Sequence, residues 1–121
     1  MIDHMGIAVT DMARSVAFYT QALAPLGYAV VMQGEGFAGF GVGGKPDLWL
    51  HPGTPIKQHV ALRAERRTVV NAFHQAGLAA GGTDNGAPGV RAHYHPNYFG
   101  AFVLDPDGNN LEAVCHEPYL G

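Results

Sequence analysis

The 121-residue sequence is poor in cysteine, in charged residues and in long apolar segments. Its single cysteine, Cys115, cannot form a disulfide within the chain, which favours a reducing compartment. No apolar run approaches the roughly 20 residues that span a bilayer, and the N-terminus lacks the layout of a signal peptide. With a net charge of −3 and Arg66-Arg67 as the only basic pair, the chain offers no surface matched to a nucleic-acid backbone. We therefore expect a cytoplasmic protein with no membrane or nucleic-acid partner.

Several catalytic signatures are also missing. The sequence has no Gly-x-Ser-x-Gly nucleophile elbow, no phosphate loop ending in Gly-Lys-Ser/Thr and no cysteine pair for zinc or redox chemistry. The glycine-rich segment 39–44 precedes a Lys-Pro turn rather than a helix, so it is not a dinucleotide-binding fingerprint.

The sequence does contain an imperfect internal repeat, which indicates that the fold is built from two similar units. A shift of 55 positions aligns His4 with His59 and Gly27 with Gly82. Each copy reads as a strand, an amphipathic helix and a glycine-bounded return, but aligning the closing strands needs a shift of 63. We predict one α+β domain made of two repeated βαβββ modules, about residues 1–54 and 55–121, which form a curled mixed sheet around a cleft.

Hydrophobic periodicity places the individual elements. In the first module we expect a strand over 3–9, a helix from Met12 to about Leu23 capped by Thr10 or Asp11, and strands over 28–32, 37–42 and 47–51. In the second we expect a strand over 59–63, a helix over about 65–80, a turn-rich aromatic stretch over 83–98, and strands over 99–104 and 110–116.

Three polar side chains on three strands form a candidate metal site: His4, His59 and Glu112. Two imidazoles and one carboxylate can occupy one face of an octahedral ion and leave positions open for substrate and water. Fe, Mn, Zn, Ni and Co all accept such ligands. A lone strand histidine is more often a surface or hydrogen-bonded residue, and Glu112 in its half-buried strand needs a partner that Arg63 could supply instead of a metal.

The loop of the second module brings further candidates. His95 and Tyr98 are the expected catalytic groups, since imidazole transfers protons near neutral pH and tyrosine can orient or protonate an oxyanion. His93-x-His95 is also a weak metal-binding pair, and the ordinary alternative for the loop is an aromatic turn packed against the sheet edge. We expect the substrate to contact Trp49, Phe40, Arg63, Tyr94 and Phe102.

Over essentially its whole length the chain resembles the vicinal oxygen chelate superfamily, which includes glyoxalase I, extradiol dioxygenases, fosfomycin-resistance proteins and bleomycin-binding proteins. The likeness lies in the duplicated module, in Asp-His-x-Gly-x-Ala-Val at 3–9, in Phe18-Tyr19 and in Asp-Pro-Asp-Gly-Asn at 105–109 before Glu112. It implies ligand positions at His4, Trp49, His59 and Glu112, and a homodimer. Trp49 departs from the pattern because an indole cannot coordinate a metal. His51, two residues further along, is a lesser candidate for that place.

The resemblance implies a divalent-metal enzyme of glyoxalase or dioxygenase type, in which the ion acts as a Lewis acid on a small substrate with vicinal oxygens. The missing carboxylate at Trp49 disfavours lactoylglutathione lyase activity. One alternative is a metal-free small-molecule-binding protein of the bleomycin-resistance kind, which Trp49 and the aromatic loop favour. Another is a scaffold domain without a ligand-sized cleft. The sequence leaves open whether each site is built within one chain or across a dimer.

Overall fold

In the computed structural model, which describes residues 1–118, the chain forms two four-stranded sheets, each with one helix packed on it. The first module consists of β1 (Met5–Val9), α1 (Met12–Leu23), a 3-10 turn (Ala24–Leu26), β2 (Ala29–Gly34), β3 (Phe37–Val42) and β4 (Lys45–Pro52). The second consists of β5 (His59–Arg63), α2 (Arg67–Ala79), β6 (Thr83–Val90), β7 (Phe99–Leu104) and β8 (Asn110–Cys115). The predicted α+β class and the repeated βαβββ module are confirmed.

The two sheets have the same topology, with strand orders β1-β4-β3-β2 and β5-β8-β7-β6. In each, the first and last strands of the module pair in parallel and the other pairs are antiparallel. Gly6 lies opposite Trp49 in the first sheet, and Ala61 lies opposite Glu112 in the second. Trp49 and Glu112 therefore occupy equivalent places, as the predicted shift of 63 requires.

Alternation along the strands separates a helix-covered face from an open face in each sheet. Ile7 and Val9 of β1 are fully buried, whereas His4 and Gly6 are exposed. In the second sheet Leu111 is buried with the apolar core, which also contains residues of the first module. The polar candidates of both modules thus lie on the faces that the helices leave uncovered.

The helix starts follow local capping chemistry. Asp11 is the N-cap of α1, and its carboxylate accepts the backbone N–H of Arg14 at 3.1 Å. Arg66, in an extended conformation, precedes α2, so this helix begins two residues later than the periodicity predicts. Within residues 1–118, neither helix has the length and apolar character that crossing a bilayer requires.

The turn-rich interpretation of residues 83–90 is wrong, because this segment is the edge strand β6. Its glycines and Pro88 are tolerated there because an edge strand pairs on one side only. The pairing with β7 shifts register on both sides of Gly86, as bulges do. The residues inserted in the second module lie largely in the connection 91–98, which corresponds to the short turn 35–36 of the first module.

A buried hydrogen-bond network joins the two modules at the turn 105–109. The hydroxyl of Tyr19 in α1 donates to Oδ2 of Asp105 at 2.5 Å. The other carboxylate oxygen accepts the backbone N–H groups of Asp107 and Asn109, at 2.9 and 2.8 Å. Gly108 has a φ of +85°, which explains the glycine of the predicted turn. This network anchors the start of β8 and hence the strand that carries Glu112.

Candidate functional site

The centre of the candidate site is a chain of hydrogen bonds that runs from His59 through Glu112 to Tyr98. Nε2 of His59 lies 2.7 Å from Oε1 of Glu112, and the hydroxyl of Tyr98 donates to Oε2. The Glu112 side chain is 1% exposed, whereas that of His59 is 53% exposed. The buried carboxylate therefore has a partner on each oxygen, and one of these partners reaches the open face.

A glycine makes the approach of Tyr98 to Glu112 possible. A Cβ at Gly100 of β7 would lie 3.1 Å from the Tyr98 ring and 3.3 Å from Oε2 of Glu112. Burial, together with the hydrogen bond and the charge of Glu112, raises the pKa of Tyr98. The phenol therefore keeps its proton in the physiological range and acts as a donor to the carboxylate.

Phe102 and Arg91 continue the site across the sheet. Phe102 lies opposite Glu112 in the β7–β8 pair, and its ring centroid is 6.1 Å from that of His59. The guanidinium carbon of Arg91 lies 5.1 Å from the centre of the Phe102 ring. The sequence interpretation missed Arg91. The available signal was that Arg91 is the only Lys or Arg within residues 83–98.

His95 belongs to a second histidine contact beside this chain. Its Nε2 lies 2.5 Å from Nδ1 of His116, and its Nδ1 accepts the backbone N–H of Asn97 at 3.0 Å. Because Nδ1 is an acceptor, Nε2 carries the proton and donates to His116. The Tyr98 ring packs against both imidazoles, with centroids 5.7 and 5.3 Å away. His95 thus reaches Glu112 only through Tyr98, and His116 is a site neighbour that the sequence interpretation did not include.

The other loop aromatics lie outside this chain of hydrogen bonds. Tyr94 is 59% exposed and packs its ring 4.8 Å from that of Tyr98. The His93 ring packs against that of Tyr94 at 4.2 Å, while His95 contacts His116, so the two histidines of His93-x-His95 have different partners.

His4 lies on the open face of the first module. Its Nδ1 is 2.8 Å from a carboxylate oxygen of Asp3, and the other oxygen pairs with Lys45 at 3.1 Å. His4 lines a groove with Gly6 and Trp49, and it also lines a crevice together with residues 60–62 of β5. It therefore stands at the junction of the two modules, engaged with Asp3.

Trp49 gives the first module an aromatic surface where the second has a carboxylate. Its indole covers Gly39, where a Cβ would lie 2.8 Å from the ring, and Phe37 is 6.2 Å away. His51 lies beside Gly6 on the same face. This face carries an indole at the position where the face of the second module carries the carboxylate of Glu112.

The expected three-ligand cluster is not assembled within the chain as described. Among residues 1–118, no three His, Cys, Asp or Glu side chains gather closely enough to hold a metal ion. His59 and Glu112 nevertheless fit as two neighbouring ligands. Two donor atoms at about 2.1 Å from one ion and at right angles lie roughly 3 Å apart, which is close to their 2.7 Å separation. Within one chain, the structure therefore brings together two of the three expected ligand residues.

Two other expectations need correction. Phe40 does not line an open face: it is fully buried next to Tyr19, because it pairs with Leu48 on the helix-covered side of the sheet. Arg63 does not neutralise Glu112; its guanidinium bonds Glu117 at 2.9 Å, and both side chains are largely exposed.

Comparison with known proteins gives a consistent result. Residues 1–113 match the model of the glyoxalase/bleomycin resistance protein/dioxygenase superfamily, which confirms the resemblance seen in the sequence. A glyoxalase/bleomycin resistance protein from Albidiferax ferrireducens T118 superposes with a TM-score of 0.81 at 25% identity, covering 96% of this chain and 98% of that one.

A glyoxalase/bleomycin resistance protein/dioxygenase family enzyme from Burkholderia phytofirmans PsJN gives a TM-score of 0.75 at 20% identity, covering 96% and 98%. A glyoxalase-related enzyme from Fulvimarina pelagi gives 0.73 at 19% identity, covering 95% and 87%. No curated protein matches the chain.

Proposed function

Because this chain belongs to the glyoxalase/bleomycin resistance protein/dioxygenase superfamily, we propose that it is a divalent-metal enzyme acting on a small substrate with vicinal oxygens. His59 and Glu112 are the metal ligands contributed by the second module, and His4 is the third. The ion is Fe, Mn, Zn, Ni or Co, and the active form is a homodimer.

The observation that carries this proposal is the pairing of His59 with a buried Glu112. A carboxylate that is 1% exposed is costly to keep ionised unless a cation or several donors face it. Here the carboxylate contacts one imidazole and one phenol, and the imidazole nitrogen is the atom that a divalent ion would bind. The exposed edge of His59 leaves room for a substrate on the open face.

When bound, a divalent ion supplies a Lewis acid that stabilises negative charge developing on a substrate oxygen. The chain's own residues have separate tasks. Tyr98 holds Glu112 in one orientation through Oε2, as outer donors to metal-bound carboxylates do. Phe102 and Tyr94 flank the open face and reduce the access of water. His95 moves a proton at Nε2, the atom that lies 2.5 Å from Nδ1 of His116.

Metal analysis tests the proposal directly. The protein is purified without chelators, and its metal content is measured by inductively coupled plasma mass spectrometry alongside His59→Ala and His51→Ala. We expect near-stoichiometric metal in the wild type and in His51→Ala, and loss of most of it in His59→Ala. Metal that stays in His59→Ala, or a wild type that binds none of the five ions on addition, contradicts the proposal.

Mixing two variants that each lack one ligand tests whether His4 binds the ion of its own chain or that of a second copy. If His4 reaches the ion from a second copy of the chain, a mixture of His4→Ala and His59→Ala regains part of the metal that each lacks alone. If His4 serves its own chain, the mixture binds no more metal than the separate variants. A His4→Ala variant with full metal content removes His4 from the ligand set.

The second candidate function is metal-free binding of an aromatic small molecule. It is favoured by Trp49, which stands at the position equivalent to Glu112 and lines a groove with Gly6 and Pro46. This function predicts that Trp49→Ala abolishes ligand binding while chelator treatment leaves it unchanged.

A further inference from the structure

Arg91 has an unusual position for a cation. Its Nη1 donates to the carbonyls of Gly89 and Gly100, at 2.8 and 2.5 Å, and its Nη2 donates to that of Ala87 at 2.9 Å. These contacts hold the guanidinium over the ring of Phe102. All three acceptors are neutral, and within residues 1–118 Arg91 forms no ion pair with a carboxylate. Its charge is therefore fixed in place but not neutralised.

The remaining donors of Arg91 suit an anion. A guanidinium has five N–H donors, of which the three carbonyls use three. The two that remain belong to Nε and Nη2, which are attached to the same carbon and can take both oxygens of one carboxylate. Because the carbonyl contacts already restrict the side chain, little rotamer freedom is lost when an anion binds.

The location of Arg91 relates this charge to the candidate site. The guanidinium bonds Gly100 of β7, and Gly100 is a neighbour of Glu112, whose strand β8 pairs with β7. Paired strands lie about 4.8 Å apart, so the cation stands roughly one strand beyond the His59–Glu112 pair. The Phe102 ring is a neighbour of both groups: its centroid is 5.1 Å from the guanidinium carbon of Arg91 and 6.1 Å from the centroid of the His59 ring. A small planar molecule on Phe102 would therefore meet His59 at one end and Arg91 at the other.

We propose that Arg91 and Phe102 form an anion-recognition subsite that selects substrates carrying a carboxylate on a small planar or aromatic body. This inference deepens the proposed function, on which it relies for the position of the substrate. The ring supplies an apolar surface, and the guanidinium supplies the charge that distinguishes an acid from its neutral analogue. The oxygens that react lie at the opposite end of the molecule, at His59.

Benzoate and benzamide test the subsite, because they share shape and differ in charge. Binding is measured by isothermal titration calorimetry with wild type, Arg91→Gln and Arg14→Gln, the last removing an equal charge from the exposed surface of α1. We expect the wild type to prefer benzoate by about tenfold, a preference lost in Arg91→Gln and kept in Arg14→Gln. Equal affinities in the wild type, or an undiminished preference in Arg91→Gln, would overturn the proposal.

A second measurement needs no variant and decides the matter if Arg91→Gln does not fold. In a nuclear magnetic resonance titration of the wild type, benzoate shifts the Nε–H signal of Arg91 with the same saturation curve as the calorimetry, and benzamide does not. An Arg91 signal that benzoate leaves unmoved overturns the proposal. Both titrations are run on as-purified and on chelator-treated protein. Charge selection that persists after chelation supports the subsite even where metal analysis has rejected the metal, so the two proposals fail separately.

Discussion

The hydroxyl of Tyr98 donates a hydrogen bond to Oε2 of Glu112, so the inserted loop of the second module and the last strand meet at one buried carboxylate. The equivalent turn of the first module is only the two residues 35–36, and Trp49 takes the place of the carboxylate. The inserted loop thus supplies the Tyr98 hydroxyl as a donor in the module that has the Glu112 carboxylate as an acceptor. This difference makes the two open faces chemically unlike each other.

Tyr98→Phe is expected to destabilise the protein, because it leaves one oxygen of a buried carboxylate without its donor. The cost of such a loss is about 1–3 kcal/mol in the free energy of unfolding, measured by urea denaturation. Tyr94→Phe is the matched control, since Tyr94 is 59% exposed. Tyr98→Phe is also expected to weaken metal binding by about ten- to a hundredfold. Equal stability of the two variants would contradict the role given to Tyr98.

Gly100→Ala is expected to disturb the same contact from the other side. Its Cβ would lie 3.1 Å from the Tyr98 ring and 3.3 Å from Oε2 of Glu112, and both groups are held by the hydrogen bond between them. We expect a loss of about 1–3 kcal/mol, as for other overpacked sites. Gly89→Ala is the control, because a Cβ there meets its nearest neighbour at 3.6 Å, an ordinary contact. A Gly100→Ala protein as stable as Gly89→Ala would mean that the contact tolerates displacement.

Asp84, which lies outside the candidate site, makes the free energy of unfolding depend on pH. Hydrogen bonds from the His74 imidazole and from the backbone N–H of Gly86 lower the pKa of Asp84. A carboxyl whose pKa is lower in the folded state stabilises that state above its unfolded pKa of about 3.9 and loses this contribution as pH falls further. The wild type should therefore exceed Asp84→Asn in unfolding free energy at pH 6, and the difference should shrink below about pH 4. A difference between the wild type and Asp84→Asn that is constant with pH would contradict this expectation.

The architecture could be predicted from the sequence because local patterns, namely hydrophobic periodicity and turn residues, indicate each element of the repeat. Period-two alternation placed His4 and His59 on open faces, and the turn 105–109 fixed the start of the strand that carries Glu112. Strand β6 was missed because edge strands with bulges accept Gly and Pro, so their local composition resembles that of a loop. Phe40 does not line the open face as expected, because it pairs with the buried Leu48 of β4. The glycines on either side of Phe40 hide the apolar alternation that would have indicated a buried position.

The site itself depends on contacts that no local pattern encodes. The distance from His95 to His116 is set by how residues 91–98 fold back onto β8, not by any spacing in the chain. The role of Arg91 likewise depends on carbonyls left free where the pairing of β6 with β7 is irregular. The repeat shows that His4 and His59 occupy equivalent positions. Equivalent positions indicate that both side chains lie on the open faces of their sheets, but they do not give the distance between the two side chains.

Anomalous scattering would locate the metal ion that we propose His59 and Glu112 to bind. Crystals of the protein grown with Mn(II) are measured at a wavelength where manganese scatters anomalously. We expect one dominant peak per chain at about 2.0–2.3 Å from Nε2 of His59 and from Oε1 of Glu112, and no peak there in His59→Ala crystals. A saturated manganese site elsewhere, or crystals in which His59 and Glu112 keep their 2.7 Å hydrogen bond with no ion between them, would contradict it.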